Sequence, residues 1–126
     1  MSKKRILKVI LEDIIEEIER IKRFTQGIEE YNNFVENELV FYAVLKALEN
    51  IGESVKQIPN DKRELYPIEW KKIAGLRDIL IHEYFGIDAE IIWEVIKKKL
   101  PELEKAVKFL LEKEQTCIPS LTKNTT

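Results

Sequence analysis

The chain has 126 residues, enough for one domain whose core needs neither disulfides nor a structural metal. With 44% hydrophobic and 35% charged residues but only four glycines and four prolines, the composition favours helices. A net charge of −2 argues against a generic nucleic-acid coat, which draws its affinity from Lys and Arg, while leaving room for a local basic site.

The candidates for such a site are Lys3-Lys4-Arg5, Lys71-Lys72 and Lys97-Lys98-Lys99, although short charge runs on helices are usually solvated faces. Cys117 is the single cysteine, so no intrachain disulfide and no Cys-based metal site is possible, which fits a reducing compartment. The N-terminal stretch MSKKRILKVILEDIIEE turns acidic before a signal-peptide core develops, and no apolar run approaches the roughly 20 residues that span a bilayer. The expectation is a soluble cytoplasmic protein.

Four main helices are expected, without internal repeats. The first spans about Ser2 to Phe24, with Leu7, Ile10, Leu11, Ile14, Ile18 and Ile21 at helical spacing and Gly27 marking its end. A short helical turn follows around Ile28 to Phe34. The second helix runs from about Glu36 to Ile58 and stops at Pro59. Its stripe begins at Leu39 and Val40 and continues to Val55 and Ile58, and the small residues Ala43, Ala47 and Gly52 allow another helix to come close. Asn60-Asp61-Lys62 reads as a loop.

The third helix starts at Pro67, carries Ile68, Trp70, Ile73, Leu76 and Leu80 towards Tyr84, and ends at Gly86. Asp88 then caps a fourth helix, which Pro101 should kink or interrupt near Leu100. Short connections between long amphipathic helices favour an all-α, up-and-down bundle of four to five helices. Residues 1–115 would form this domain and 116–126 a flexible polar tail.

The chemistry concentrates in RDILIHEYFGID, residues 77–88, which holds the only histidine of the chain. On a helical wheel Arg77 and Tyr84 lie within roughly 20° of each other, whereas His82 points roughly 140° away from Arg77, on the side of Gly75 and Asp78. In one straight helix these groups cannot all aim at one small substrate. Two arrangements reconcile them: the helix opens near His82, or a second chain packs across the segment, with Gly75 permitting close approach.

Arginine, histidine and tyrosine in a cleft suit phosphodiester cleavage. Imidazole exchanges protons near neutrality, guanidinium clamps phosphate oxygens, and a phenol orients the phosphate or stacks on a base. No His/Asp/Glu cluster at ligand spacing accompanies them, so the expected route uses no metal. The residues alone equally allow a plainer role. A histidine near a helix C-terminus commonly caps carbonyls, and Arg77 could simply pair with Asp78, Glu83 or a glutamate of another helix.

Arg77, four intervening residues, His82, one residue and Tyr84 together resemble the signature of the HepT-like toxins, a branch of the HEPN superfamily of helical ribonucleases. The likeness extends to ALENIGESVKQIP (47–59), IEWKKIAGLRDILIHEYFGID (68–88) and IIWEVIKKKLPEL (91–103). The resemblance implies a HEPN-like helical bundle that forms a homodimer through the motif face. It also implies a metal-independent endoribonuclease, the toxin of a toxin–antitoxin pair, with Arg77 and His82 catalytic and Asp78 supporting. The implied antitoxin is a minimal nucleotidyltransferase of the MntA type that transfers AMP from ATP onto Tyr84. The reaction implies no cofactor. Glu49 and Glu53, one turn apart, either line the same cleft or form a solvated face. The alternative is a non-catalytic helical dimer that binds nucleotide or presents a substrate to a separate nucleotidyltransferase.

Overall fold

The computed structural model describes residues 3–82 and 86–116, with side chains omitted at 3–5, 115 and 116. All regular structure among these residues is helical: α1 Lys3–Phe24, α2 Tyr31–Glu36, α3 Glu38–Lys56, α4 Asn60–Arg63, α5 Trp70–His82, α6 Ala89–Glu94 and α7 Leu100–Thr116. A five-residue π-helical turn, Val95–Lys99, joins α6 to α7 without a break. The long elements are therefore α1, α3, α5 and the α6–α7 rod, as the periodicity predicts. No described helix is long and apolar enough to cross a membrane. Ser2 and the 117–126 tail lie outside the described residues.

Helix α3 packs between α1 and α5, and α1 also lies against α7. The predicted stripe of α1 forms one wall of the core, where Leu11 and Ile14 are completely buried, and Val44, Leu48, Ile51 and Val55 of α3 meet it. Lys22 in the last turn of α1 donates to Glu104 near the start of α7 at 2.7 Å, so those two helices run antiparallel. Burial pulls the Glu104 carboxyl upward, but hydrogen bonds from Lys22 and Lys108 outweigh it and hold the group below the ordinary carboxylate range. Gly27 ends the α1 turn with φ +84°, a conformation that side chains with a Cβ rarely adopt.

Several boundaries differ from the sequence reading, each for a local reason. The second predicted helix is divided: Asn37 closes α2 and then caps α3, accepting a hydrogen bond from the Val40 N–H at 3.1 Å. Leu39 is not in the core but 81% exposed, because α3 presents the Leu39–Tyr42–Lys46 face outward. The segment read as a loop after Pro59 forms the short α4. Its Arg63 donates to the Val55 carbonyl at 2.7 Å, which anchors it to the end of α3.

The third predicted helix begins at Trp70 instead of Pro67. The Trp70 indole N–H lies 3.0 Å from the carbonyls of both Arg63 and Tyr66, tying the turn into an irregular loop until α5 starts. Asp88 caps α6 as expected, accepting from the Glu90 N–H at 2.9 Å. Ahead of Pro101 the last helix widens without breaking, through a π turn in which the Leu100 N–H reaches back to the Val95 carbonyl. That widening separates the proline ring from the preceding turn and keeps the rod continuous.

At Gly52 the backbones of α3 and α5 come into close contact. A Cβ placed on Gly52 would stand 2.8 Å from the Arg77 backbone nitrogen and 3.0 Å from the Arg77 Cβ. Overpacking of this kind costs about 1–3 kcal/mol, more than the roughly 1 kcal/mol that alanine gains over glycine inside a helix. Gly52→Ala is therefore expected to lower the thermal midpoint by several degrees in a melt followed by circular dichroism.

Candidate active site

Arg77 lies in the middle of α5, on the side that faces α3. Leu76 and Leu80 bury the neighbouring stripe and hold the helix against the core, so Arg77 emerges at the edge of the interface with 36% of its side chain exposed. Two carboxylates meet it there. Glu53 Oε1, from α3, stands 3.0 Å from Arg77 Nε, and Asp78 Oδ1 accepts from Nη1 at 3.2 Å. Lys56 Nζ, one turn beyond Glu53, lies 3.8 Å from the same Asp78 oxygen. The result is a row of alternating charge, Glu53–Arg77–Asp78–Lys56, laid across the α3–α5 crossing.

His82 is exposed in the last turn of α5, and the helix stays intact through it. Up to His82 itself α5 does not open to swing the ring back towards Arg77, and residues 83–85 lie outside the described residues. The divergence of roughly 140° therefore stands within one chain. His82 Nδ1 lies 2.8 Å from the Asp78 backbone carbonyl. A carbonyl oxygen only accepts, so Nδ1 carries the hydrogen. In the neutral ring the lone pair is then on Nε2, at the far edge of the imidazole. The carbonyl-capping role that the sequence allows is thus real, and it also fixes the tautomer that a proton acceptor needs.

Asp78 is the residue that links the other two. Its carboxylate holds Arg77, and its carbonyl orients His82. Tyr84, together with Glu83 and Phe85, lies outside the described residues. Of the two glutamates left open by sequence, Glu53 reaches the cluster, whereas Glu49 pairs with Lys46 of its own helix at 3.6 Å. Lys56 is not singled out by the sequence reading. Only its position one turn after Glu53 hints that it shares that face.

On the other side of α5 an open groove of about 380 Å³ runs between this helix and the α6–π turn. Its walls include Ile73, Gly75, Leu76, Ile79, Ile91 and Val95, and Lys72, Lys98 and Lys99 stand at its rim. Ile79 and Ile91 are 44% and 55% exposed, and a Cβ on Gly75 would touch nothing within 4 Å. Glu69 pairs with both Lys72 and Lys99, whose hydrogen bonds, Lys99 first, hold its carboxyl below the usual range. Among the described residues no group of three or more His, Cys, Asp or Glu side chains is placed to hold a metal ion.

Comparison with known proteins gives this geometry a family. The model of the family described as Ribonuclease HepT-like matches residues 14–110. The chain is 44% identical over 108 residues to "Putative RNase MJ1380" of Methanocaldococcus jannaschii, covering 85% of this chain and 98% of that protein. It is 47% identical over 106 residues to "Putative RNase TTE0752" of Caldanaerobacter subterraneus, covering 83% and 94%. Over 102 residues it is 45% identical to "Probable ribonuclease HepT" of Thermococcus cleftensis, covering 80% and 92%. No solved structure gives a significant match. With most of its length matched by the family model, and its fold the all-helical bundle that the motif implies, the chain belongs to the HepT-like ribonuclease family.

Proposed function

We propose that this protein is an endoribonuclease toxin that cleaves RNA by internal attack of the 2′-hydroxyl, with Arg77 and His82 as the reacting groups. The observation that carries this reading is the 2.8 Å approach of His82 Nδ1 to the Asp78 carbonyl: with Nδ1 donating there, Nε2 is the acceptor nitrogen of the neutral ring. A base there takes the 2′-hydroxyl proton as the O2′–P bond forms and the P–O5′ bond breaks. An acid returns a proton to the leaving 5′ oxygen, so the products are a 2′,3′-cyclic phosphate and a 5′-hydroxyl. Arg77 meets the negative charge that accumulates on the phosphate oxygens.

One imidazole per chain supplies the base or the acid, and a second copy supplies the other. The groove beside α5 supports a homodimer. It is apolar and exposed, it is floored at Gly75 by backbone, and His82 lies seven residues after Gly75 on the same helical face. Two chains joined there bring both His82 rings to one cleft, with Lys72, Lys98 and Lys99 as neighbouring cations for an RNA backbone. Each of these lysines has a carboxylate partner at the groove, Glu69 for Lys72 and Lys99 and Glu94 for Lys98, so an RNA phosphate there exchanges for a carboxylate.

The relation to an antitoxin rests on the motif. Tyr84 is the proposed acceptor of AMP from a nucleotidyltransferase of the MntA type. Each transfer adds a phosphodiester charge and an adenine two residues from His82, so repulsion and occlusion both act against an incoming RNA phosphate.

His82→Ala and Arg77→Ala are each expected to reduce cleavage of a fluorogenic RNA at least about 100-fold without changing the helical dichroism, and EDTA should leave wild-type cleavage intact. A His82→Ala enzyme as fast as wild type would remove histidine from the mechanism. Ile79→Glu should convert the dimer to a monomer in sedimentation equilibrium and abolish cleavage with it. Intact-mass analysis after incubation with ATP and the partner transferase should show AMP on the wild-type chain and none on Tyr84→Phe.

A further inference from the structure

Arginine offers phosphate two bidentate edges: a lateral one through Nε and Nη2, and an end-on one through Nη1 and Nη2. The lateral edge of Arg77 is engaged by Glu53, whose Oε1 stands 3.0 Å from Nε. Asp78 is bonded to Nη1, one of the two end-on nitrogens, at 3.2 Å. The two carboxylates are held differently. Glu53 belongs to α3, whose backbone is locked against α5 by the missing side chain at Gly52, immediately before it. Both side chains are about half exposed, 49% for Glu53 and 54% for Asp78, but Asp78 has a second cation within reach, Lys56 Nζ at 3.8 Å from the same oxygen.

From this asymmetry we infer that Glu53 is a positioning residue for Arg77, and that Asp78 occupies the phosphate position until RNA displaces it. Glu53 immobilises the Nε side of the guanidinium and thereby selects the end-on edge for the scissile phosphate. When the phosphate takes Nη1 and Nη2, the Asp78 carboxylate moves to Lys56, and its backbone carbonyl keeps its hold on His82. The two acidic residues beside one arginine then act in opposite directions: one orients the catalytic cation, and the other competes with substrate for it. The inference rests on the reading of Arg77 as the phosphate-binding group.

The test compares Glu53→Ala with Asp78→Asn in steady-state RNA cleavage and in binding of an uncleavable 2′-O-methyl RNA. Glu53→Ala should lose about 10- to 100-fold in kcat with little change in KM. Its melting temperature should stay within a few degrees of wild type, because a half-exposed ion pair adds little stability. Asp78→Asn should instead bind the uncleavable RNA several-fold more tightly. Identical signatures for the two variants, or a Glu53→Ala enzyme whose KM falls while kcat holds, would overturn the assignment.

A readout independent of RNA separates this inference from the proposed activity. In the wild-type protein the 15Nε relaxation of Arg77 should report a restrained side chain. In Glu53→Ala its order parameter should fall below about 0.6. Should the wild type cleave no RNA at all, that loss of order would still support the positioning role, and an unchanged order parameter would refute it.

Discussion

The contact on which the arrangement depends is the crossing of α3 and α5 at Gly52. Backbone meets backbone there, with the space for a Cβ on Gly52 already filled by Arg77. Because interiors are close-packed and relax only partly, such a contact fixes the separation and rotation of both helices more firmly than a layer of flexible side chains would. Everything at the site is referred to it. Glu53 follows Gly52 and Lys56 lies one turn on, so their reach towards Arg77 and Asp78 is set by where the two backbones touch. His82 takes its orientation from a carbonyl one turn back on the same anchored helix.

Much of this architecture is legible in the sequence. The stripes of α1 and α3 predict the core because apolar side chains at three- and four-residue spacing have no other way to leave water together. What periodicity does not convey is how ends are satisfied. Asn37 divides a stretch whose hydrophobic pattern runs on, because its side chain offers Val40 a cap. The Trp70 indole delays α5 by bonding two loop carbonyls, an effect of tertiary contact that Pro67 as a helix starter does not foretell. Leu39 shows the reverse limit: one leucine joins a stripe on paper, but its own face of α3 continues with Tyr42 and Lys46 and stays in solvent.

The motif residues are legible as a group, and so is the divergence of Arg77 from His82, whereas the contacts that link them are not. Spacing alone places Arg77 and His82 on different faces of a helix, and the intact α5 keeps them so. The bridge between them is Asp78, used twice through different atoms, and no pattern of residue types announces that a backbone carbonyl will orient a ring. Glu49 and Glu53 illustrate the same limit. They are equivalent in sequence, four residues apart on one helix, yet a rotation of roughly 40° about the axis sends one to Lys46 and the other to Arg77.

Under the proposed reading, the charges around Arg77 let an acidic chain hold a site for an anion. Glu53 and Asp78 offset Arg77 and Lys56, so the resting row sums to no net charge and presents little field of its own. A phosphate is then favoured by exchange: it replaces one carboxylate on the guanidinium, and that carboxylate finds Lys56 nearby. Such exchange involves little desolvation of an unpaired ion, because Arg77 has an anionic partner before and after. The lysines at the rim of the apolar groove are offset in the same way, Lys72 and Lys99 by Glu69 and Lys98 by Glu94. In the proposed reading, the α3 side admits a phosphate only where it can displace a carboxylate of matching geometry.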